Sequence, residues 1–318
     1  MRSGSSLPRV LLTAAYKKLS QESDILEMRR IFVVLTAAVL FSMFLSGRVF
    51  PEPANDVTIT PSFIGQGEVG LVTVRAKALE PDVTWLEKKV TLAFSNRDNL
   101  WTGFFGADLT TPPGRYKLKI SNTEGGNSEY LTVMVLSKDH GTRRITVPRE
   151  MVELDSETLA RARKETKAVK EVLARSAANT LWWGSWKRPV PGIVISPFGC
   201  RNIVNGMERS PHSGVDLRAP AGTPVNVTNR GVVVLTASHF FSGKSIIIDH
   251  GGGIHSMYFH LSRISVKARD VVEKGDLIGL TGSSGRVTGP HLHFGIRLDG
   301  RRINPLKLVE ISGILETP

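Results

Sequence analysis

Gly289-Pro290-His291-Leu292-His293-Phe294-Gly295 decides how this chain is read. In a β-strand, side chains two residues apart share a face, so His291 and His293 project together while Leu292 and Phe294 turn into a core. Earlier in the chain, His212-Ser213-Gly214-Val215-Asp216 offers an imidazole and a carboxylate that also share a face if the segment is extended. Together the two stretches supply three imidazoles and a hard oxygen ligand, a set suited to a divalent metal. Three protein ligands with a fourth position left for water is the pattern of a catalytic zinc site. His212, Asp216 and either His291 or His293 fill it, and spacing alone does not choose between the two. The remaining imidazole and His260, in Tyr258-Phe259-His260-Leu261, are then available for acid/base work. An H-E-x-x-H helix is absent, so no helix glutamate serves as base.

Of eight histidines, seven fall between His212 and His293. His239 and His255 read as structural, and His250 sits at a strand end beside Gly251-Gly252, where an imidazole commonly ties down loop backbone. Cys200 is the only cysteine, which excludes an internal disulfide and any cysteine metal cage. It reads as a small residue beside a turn.

The sequence around these stretches is mainly β. From Pro189 onward the runs 193–196, 224–228, 232–237, 245–249, 254–259, 277–280 and 291–298 are separated by Gly and Pro, predicting a mostly antiparallel β-domain over residues 181–318. Residues 51–148 show a second set of β-rich runs with turn residues between them, the pattern of a small β-sandwich. Trp101, Phe104 and Phe105 are assigned to its core and edges. Between the two, residues 149–180 carry Leu159, Ala162, Thr166, Val169, Leu173 and Ser176 at helical spacing, a narrow stripe on a helical connector capped by Asp155 or Ser156. Trp182, Trp183 and Trp186 are expected to staple this connector onto the following domain.

Residues 1–27 have no clear pattern and read as disordered or as a mis-assigned start. Met28-Arg29-Arg30 followed by the apolar run 31–45 has the form of a signal peptide within residues 28–50, and both cleavage and retention as an inner-membrane anchor are open. The chain is therefore expected in the periplasm or cell envelope. Across 318 residues, 41 Lys and Arg against 29 Asp and Glu leave a net charge of +12, which favours anionic polymers. No helix-turn-helix, zinc-finger or RNA-binding signature accompanies that charge, so nucleic acid is not expected as a partner. Oligomeric state is not readable.

His212 to Asp216, Tyr258 to Leu261 and Gly289 to Phe294 resemble the three signature segments of the M23 (lysostaphin/LytM-type) zinc metallopeptidases. Pro191-Gly192, Ser196-Pro197-Phe198-Gly199, Ala219-Pro220-Ala221-Gly222-Thr223-Pro224-Val225, Ile248-Asp249-His250-Gly251 and Lys274-Gly275-Asp276-Leu277-Ile278-Gly279 agree with it. The resemblance spans about Leu181 to Leu306 and departs at Arg269 and Cys200, neither a matched ligand. It implies one Zn2+ per chain held by His212, Asp216 and His293, with His260 and His291 as the catalytic pair. The implied activity is an endopeptidase acting on peptide cross-links of peptidoglycan. The β-rich N-terminal part resembles, more distantly, the Ig-like domains that precede such peptidases. The alternative is a non-enzymatic LytM-type module that binds cell wall or activates a wall amidase. A lipoyl-carrier reading of Val272 to Asp276 leaves the histidines unexplained. A further expectation is that the N-terminal half restrains access to the metal groove.

Overall fold

The computed structural model describes residues 56–75, 80–121, 128–146 and 154–315; the signal or anchor reading of residues 28–50 lies outside them. Among the described residues no helix is long and apolar enough to cross a membrane. Residues from Asn55 onward form one compact unit.

Two sheets face each other in the first part of this unit. One orders strands Asp56–Thr60, Val69–Arg75, Leu100–Gly106 and Ala93–Ser95; the other orders Phe63–Gly65, Ser128–Leu136, Gly114–Ser121, Asp82–Trp85 and Lys88–Val90. Alternation drives Val72, Val74 and Phe105 of the first sheet against Trp85, Leu118 and Val133 of the second, all buried. The Trp85 indole N–H, which needs a partner in such a core, donates to the Gly106 carbonyl at 2.8 Å. Strand Leu100–Gly106 was not assigned as a strand from the sequence, which offered only its aromatics as core and edge residues. Its aromatics divide as expected: Phe104 and Phe105 are buried, while Trp101 lies at the edge against Phe94.

Helix α1 (Ser156–Leu173) follows, its first turn capped by the Asp155 carboxylate, which accepts from the Thr158 N–H at 2.8 Å. Only Ala162 of its stripe is fully buried. Val169 and Leu173 are half-buried because they face a cavity instead of a closed core. The helix is tied down by Glu165, whose carboxylate accepts the Phe240 N–H at 2.8 Å and pairs with Arg161.

The rest is a ten-stranded antiparallel sheet whose path runs Val194–Ser196, Val215–Arg218, His291–Leu298, Ile254–Ile264, Gly243–Asp249, Gly231–His239 and Val271–Val272. Helix α2 (Pro305–Ser312), capped by Asn304, packs against its strand His291–Leu298 and against strand Val69–Arg75 of the sandwich. Tyr258, Leu292 and Phe294 lie on the core face of this sheet, fully buried, and the two rings stack at 5.6 Å. That core is continuous with the sandwich, since Phe104 packs on Trp182 at 4.9 Å and on Trp186 at 6.3 Å between ring centroids. Trp182 and Trp186 are the staples; Trp183 is 60% exposed with the Lys274 ammonium over its ring and takes no part.

Candidate metal centre

The opposite face of the sheet carries the polar cluster. Strand Val215–Arg218 pairs with His291–Leu298 in a register that sets Asp216 opposite His293, and strand Ile254–Ile264 sets Phe259 opposite His293 on the other side. His293 is thus flanked by a carboxylate and an aromatic ring, and Phe259 stacks on it almost parallel at 5.2 Å. His212 reaches the cluster differently from the sequence expectation. It lies in the loop before its strand, not in an extended His212–Asp216 segment. Two backbone hydrogen bonds hold it, its N–H donating to the Cys200 carbonyl at 2.9 Å and its carbonyl accepting from the Gly199 N–H at 2.8 Å. Cys200 is buried and serves here through its backbone.

Three ligand atoms converge. His212 Nε2 is 3.0 Å from His293 Nδ1 and 3.1 Å from Asp216 Oδ1, and His293 Nδ1 is 3.0 Å from the same oxygen. Chemistry decides what this cluster lacks. His212 Nδ1 is 2.9 Å from the Pro197 carbonyl, an obligate acceptor, so Nδ1 carries the proton and Nε2 of the neutral ring a lone pair. Without a cation that lone pair faces the Asp216 oxygen unless the ring takes up a second proton, and although burial lowers the His212 pKa, hydrogen bonding to Asp216 raises it overall. A cation at the centre of the three atoms removes that repulsion, and two nitrogens with one carboxylate oxygen suit zinc. Burial alone would raise the Asp216 carboxyl, but hydrogen bonds with His212 and His293 outweigh it and hold it well below the usual range. Gly214 makes the space: a Cβ there would sit 2.4 Å from the Phe294 carbonyl oxygen and 2.7 Å from His293 Nε2.

His260 and His291 form the second pair, their rings 4.9 Å apart. His291 Nδ1 donates to the Gly289 carbonyl at 2.8 Å and its Nε2 lies 3.8 Å from Asp216 Oδ1. His260 Nδ1 donates to the Ser284 carbonyl at 3.0 Å. In both rings the Nε2 lone pair is left for a reacting group. By strict alternation His260 would join Tyr258 on the core face, yet its ring lies 6.1 Å from that of His293. Its backbone is left-handed, with φ +65°, beside a register shift between Leu261 and Arg263, and this re-aims the side chain. Burial, with the neighbouring His293, pushes the His260 imidazole down to about 4.

All five sequence-predicted residues therefore meet in one cluster, and the three remaining C-terminal histidines do not join it. His250 is buried between the Arg230 carbonyl and the Ser256 hydroxyl, each at 2.7 Å, and His255 bonds the Arg175 carbonyl at 2.9 Å. His239 lies at the hairpin tip near Ser242. Sequence reasoning missed the carbonyls of Pro197, Ser284 and Gly289, which leave no side-chain signal. It also missed Phe259 and Arg297, which share the site face by simple alternation with His293 and its partners.

Residues 210–305 match Peptidase family M23. A peptidoglycan DD-endopeptidase of Vibrio cholerae, ShyA, is 46% identical over 115 residues, 36% of this chain and 27% of its own length. The DD-carboxypeptidase/endopeptidase Mpg of Neisseria meningitidis is 38% identical over 125 residues, 39% of this chain and 28% of its own. The chain thus spans about a quarter of the length of these curated relatives. A crystal structure from Pseudomonas aeruginosa, described as a peptidase M23, superposes with a TM-score of 0.62 at 30% identity, covering 77% of this chain and 95% of that one. That likeness extends beyond the segment the family matches.

Proposed function

The chain belongs to peptidase family M23, and from that membership we propose that it is a zinc-dependent endopeptidase of the cell envelope that hydrolyses peptide cross-links of peptidoglycan. The observation that carries the reading is the contact of His212 Nε2, Asp216 Oδ1 and His293 Nδ1 within about 3 Å of one another, a donor set that wants a cation. In this reading those three residues hold one Zn2+, which when bound supplies Lewis acidity toward the scissile carbonyl. His260 and His291 move the protons. Their Nδ1 atoms are committed to main-chain carbonyls, so each Nε2 can take a proton from the attacking water and return it to the leaving amine. The low pKa of His260 keeps it neutral and able to accept at neutral pH. Phe259 holds the His293 ring in plane, and the buried core behind the strand limits water.

ShyA is named a peptidoglycan DD-endopeptidase and Mpg a DD-carboxypeptidase/endopeptidase, and the net charge of +12 suits an anionic wall polymer. The basic triplet Met28-Arg29-Arg30 before the apolar run 31–45 supports export. Residues 51–148, 149–180 and 181–318 act in this reading as sandwich, connector and peptidase portions.

The test is metal analysis of the purified full chain with release of cross-linked muropeptides from isolated sacculi. His293→Ala is expected to abolish zinc binding and cleavage together. His291→Ala is expected to keep zinc while cleavage falls by roughly a hundredfold or more. A wild-type chain that cannot be loaded with zinc, or a His291→Ala chain that cuts as well as wild type, overturns the proposal.

A further inference from the structure

A cavity of about 840 Å³ adjoins the candidate centre, within the range of small-ligand pockets. Phe259 is the shared wall: its ring stacks on His293 and also lines the cavity. The floor is the same sheet face that carries the metal cluster, and Arg297 belongs to it, four residues beyond His293 on one strand. That separation is about 13 Å of extended chain. The inner stripe of α1, including Ala162, Val169 and Leu173, forms the roof, which explains why a helix stripe of this kind is left half-covered.

Arg297 is the unexplained residue in this cavity. Its Nη1 donates to the Ser213 and Ile296 carbonyls, each at 3.1 Å, and these are the only described hydrogen bonds of its guanidinium. Among the described residues it has no carboxylate partner. Asp108 and Asp299 are engaged by Arg302 and Arg301, and Glu165, the other carboxylate on the cavity wall, is held by Arg161 and the Phe240 N–H. Burial first, then the nearby Arg302 cation, pull its pKa down to about 10, and the Asp108 carboxylate that Arg302 engages only partly opposes them. A half-buried cation that shares the Asp108 carboxylate with another arginine and has no ion pair of its own among the described residues is incompletely compensated, and a guanidinium presents a fork that matches a carboxylate. Lys88, Lys170 and Arg175 line the same cavity.

We propose that this cavity is a substrate subsite in which Arg297 receives a carboxylate of the peptide whose bond lies at the metal centre. The proposal rests on the endopeptidase reading and adds that the enzyme selects cross-linked peptides by a free acid group one subsite away from the cleaved bond.

The test uses the zinc-loaded full chain and two cross-linked peptide dimers that differ only in amidation of their free carboxylates. The wild type is expected to show a KM about tenfold lower for the acid than for the amide, the size of one charge-assisted hydrogen-bonded contact. In Arg297→Gln that acid-to-amide ratio should collapse toward one. A ratio within a single preparation is independent of how much of it is folded or metal-loaded, and the wild-type comparison stands if the variant does not fold. Cleavage of both dimers with equal KM by the wild type removes the subsite and leaves the endopeptidase. A ratio unchanged in Arg297→Gln removes Arg297. If neither dimer is cut, calorimetric titration with an acetylated tripeptide acid and its amide decides. Preference for the acid that is lost in Arg297→Gln keeps the subsite while the endopeptidase reading falls, and equal binding ends both.

Discussion

His260 combines an unusual backbone with the proton-transfer role proposed for it. A left-handed φ of +65° in a non-glycine residue stores about 1–3 kcal/mol of strain, tolerable where the surroundings over-determine it. Asparagine accepts that backbone readily, and its amide can still donate to the Ser284 carbonyl. His260→Asn is therefore expected to keep the melting temperature and zinc content of the wild type while cross-link cleavage drops by about a hundredfold. A matching loss of zinc would reassign His260 to structure. Gly214 makes an opposite prediction, because a Cβ there collides with both the Phe294 carbonyl and the His293 ring. Gly214→Ala should weaken zinc affinity, read by chelator competition, although no ligand is replaced. At this scale alternation made His291, His293, Leu292 and Phe294 legible, since a period of two needs only the strand. The loop origin of His212 and the re-aimed His260 were not legible, because each depends on a partner far away in sequence: Cys200 for one, the register shift around Leu261 for the other.

Helix α1 was readable as an element and unreadable as a roof. Its cap at Asp155 and its stripe are local signals, whereas the cavity beneath it is created by Phe259 and Arg297 more than eighty residues downstream. Its attachment is narrow and polar. Glu165 binds the Phe240 N–H, and Arg161 pairs with Glu165 and reaches the Ser238 carbonyl at 3.3 Å. Next to this contact is Ser242, whose carbonyl accepts the His260 N–H at 2.9 Å, so the helix, the hairpin tip and the His260–His291 pair are consecutive links. Glu165→Ala is expected to speed amide exchange across Ser156–Leu173 and at Phe240, with the strands His291–Leu298 and Ile254–Ile264 unchanged. Uniform protection in the variant would show that apolar contacts around Ala162 hold the helix by themselves. The comparison also addresses the expectation that the N-terminal half restrains the groove: a loosened helix with faster cleavage supports it, and unchanged turnover removes it.

Across the whole molecule a polar contact and an apolar one stand out among those that bind the sandwich to the ten-stranded sheet. Asp108 accepts from the Arg302 backbone N–H at 2.8 Å and from its guanidinium at 2.5 Å and 3.1 Å. Burial would raise its carboxyl, but these hydrogen bonds prevail and hold it far below the ordinary range. A carboxyl depressed on folding contributes its full stability above its unfolded pKa, about 4, and loses it as pH falls toward the folded value. Thermal stability should thus decline as the pH is taken below about 4, with part of that slope missing in Asp108→Asn. The second contact is apolar: Phe104→Ala removes the ring that packs on Trp182 and Trp186 and is expected to cost about 3–5 kcal/mol in denaturant unfolding. The tryptophans were legible as a staple, but their receptor Phe104 was assigned only to the core or edges of the sandwich. That aromatic joint bears on how such chains can be recombined. A fragment starting near Leu181 would carry two large indoles stripped of their cover, and a sandwich grafted from another protein would offer them no matching ring. Shuffling between relatives is thus expected to yield soluble chimaeras when the crossover keeps Phe104 with Trp182 and Trp186 from one parent, and aggregates when it separates them.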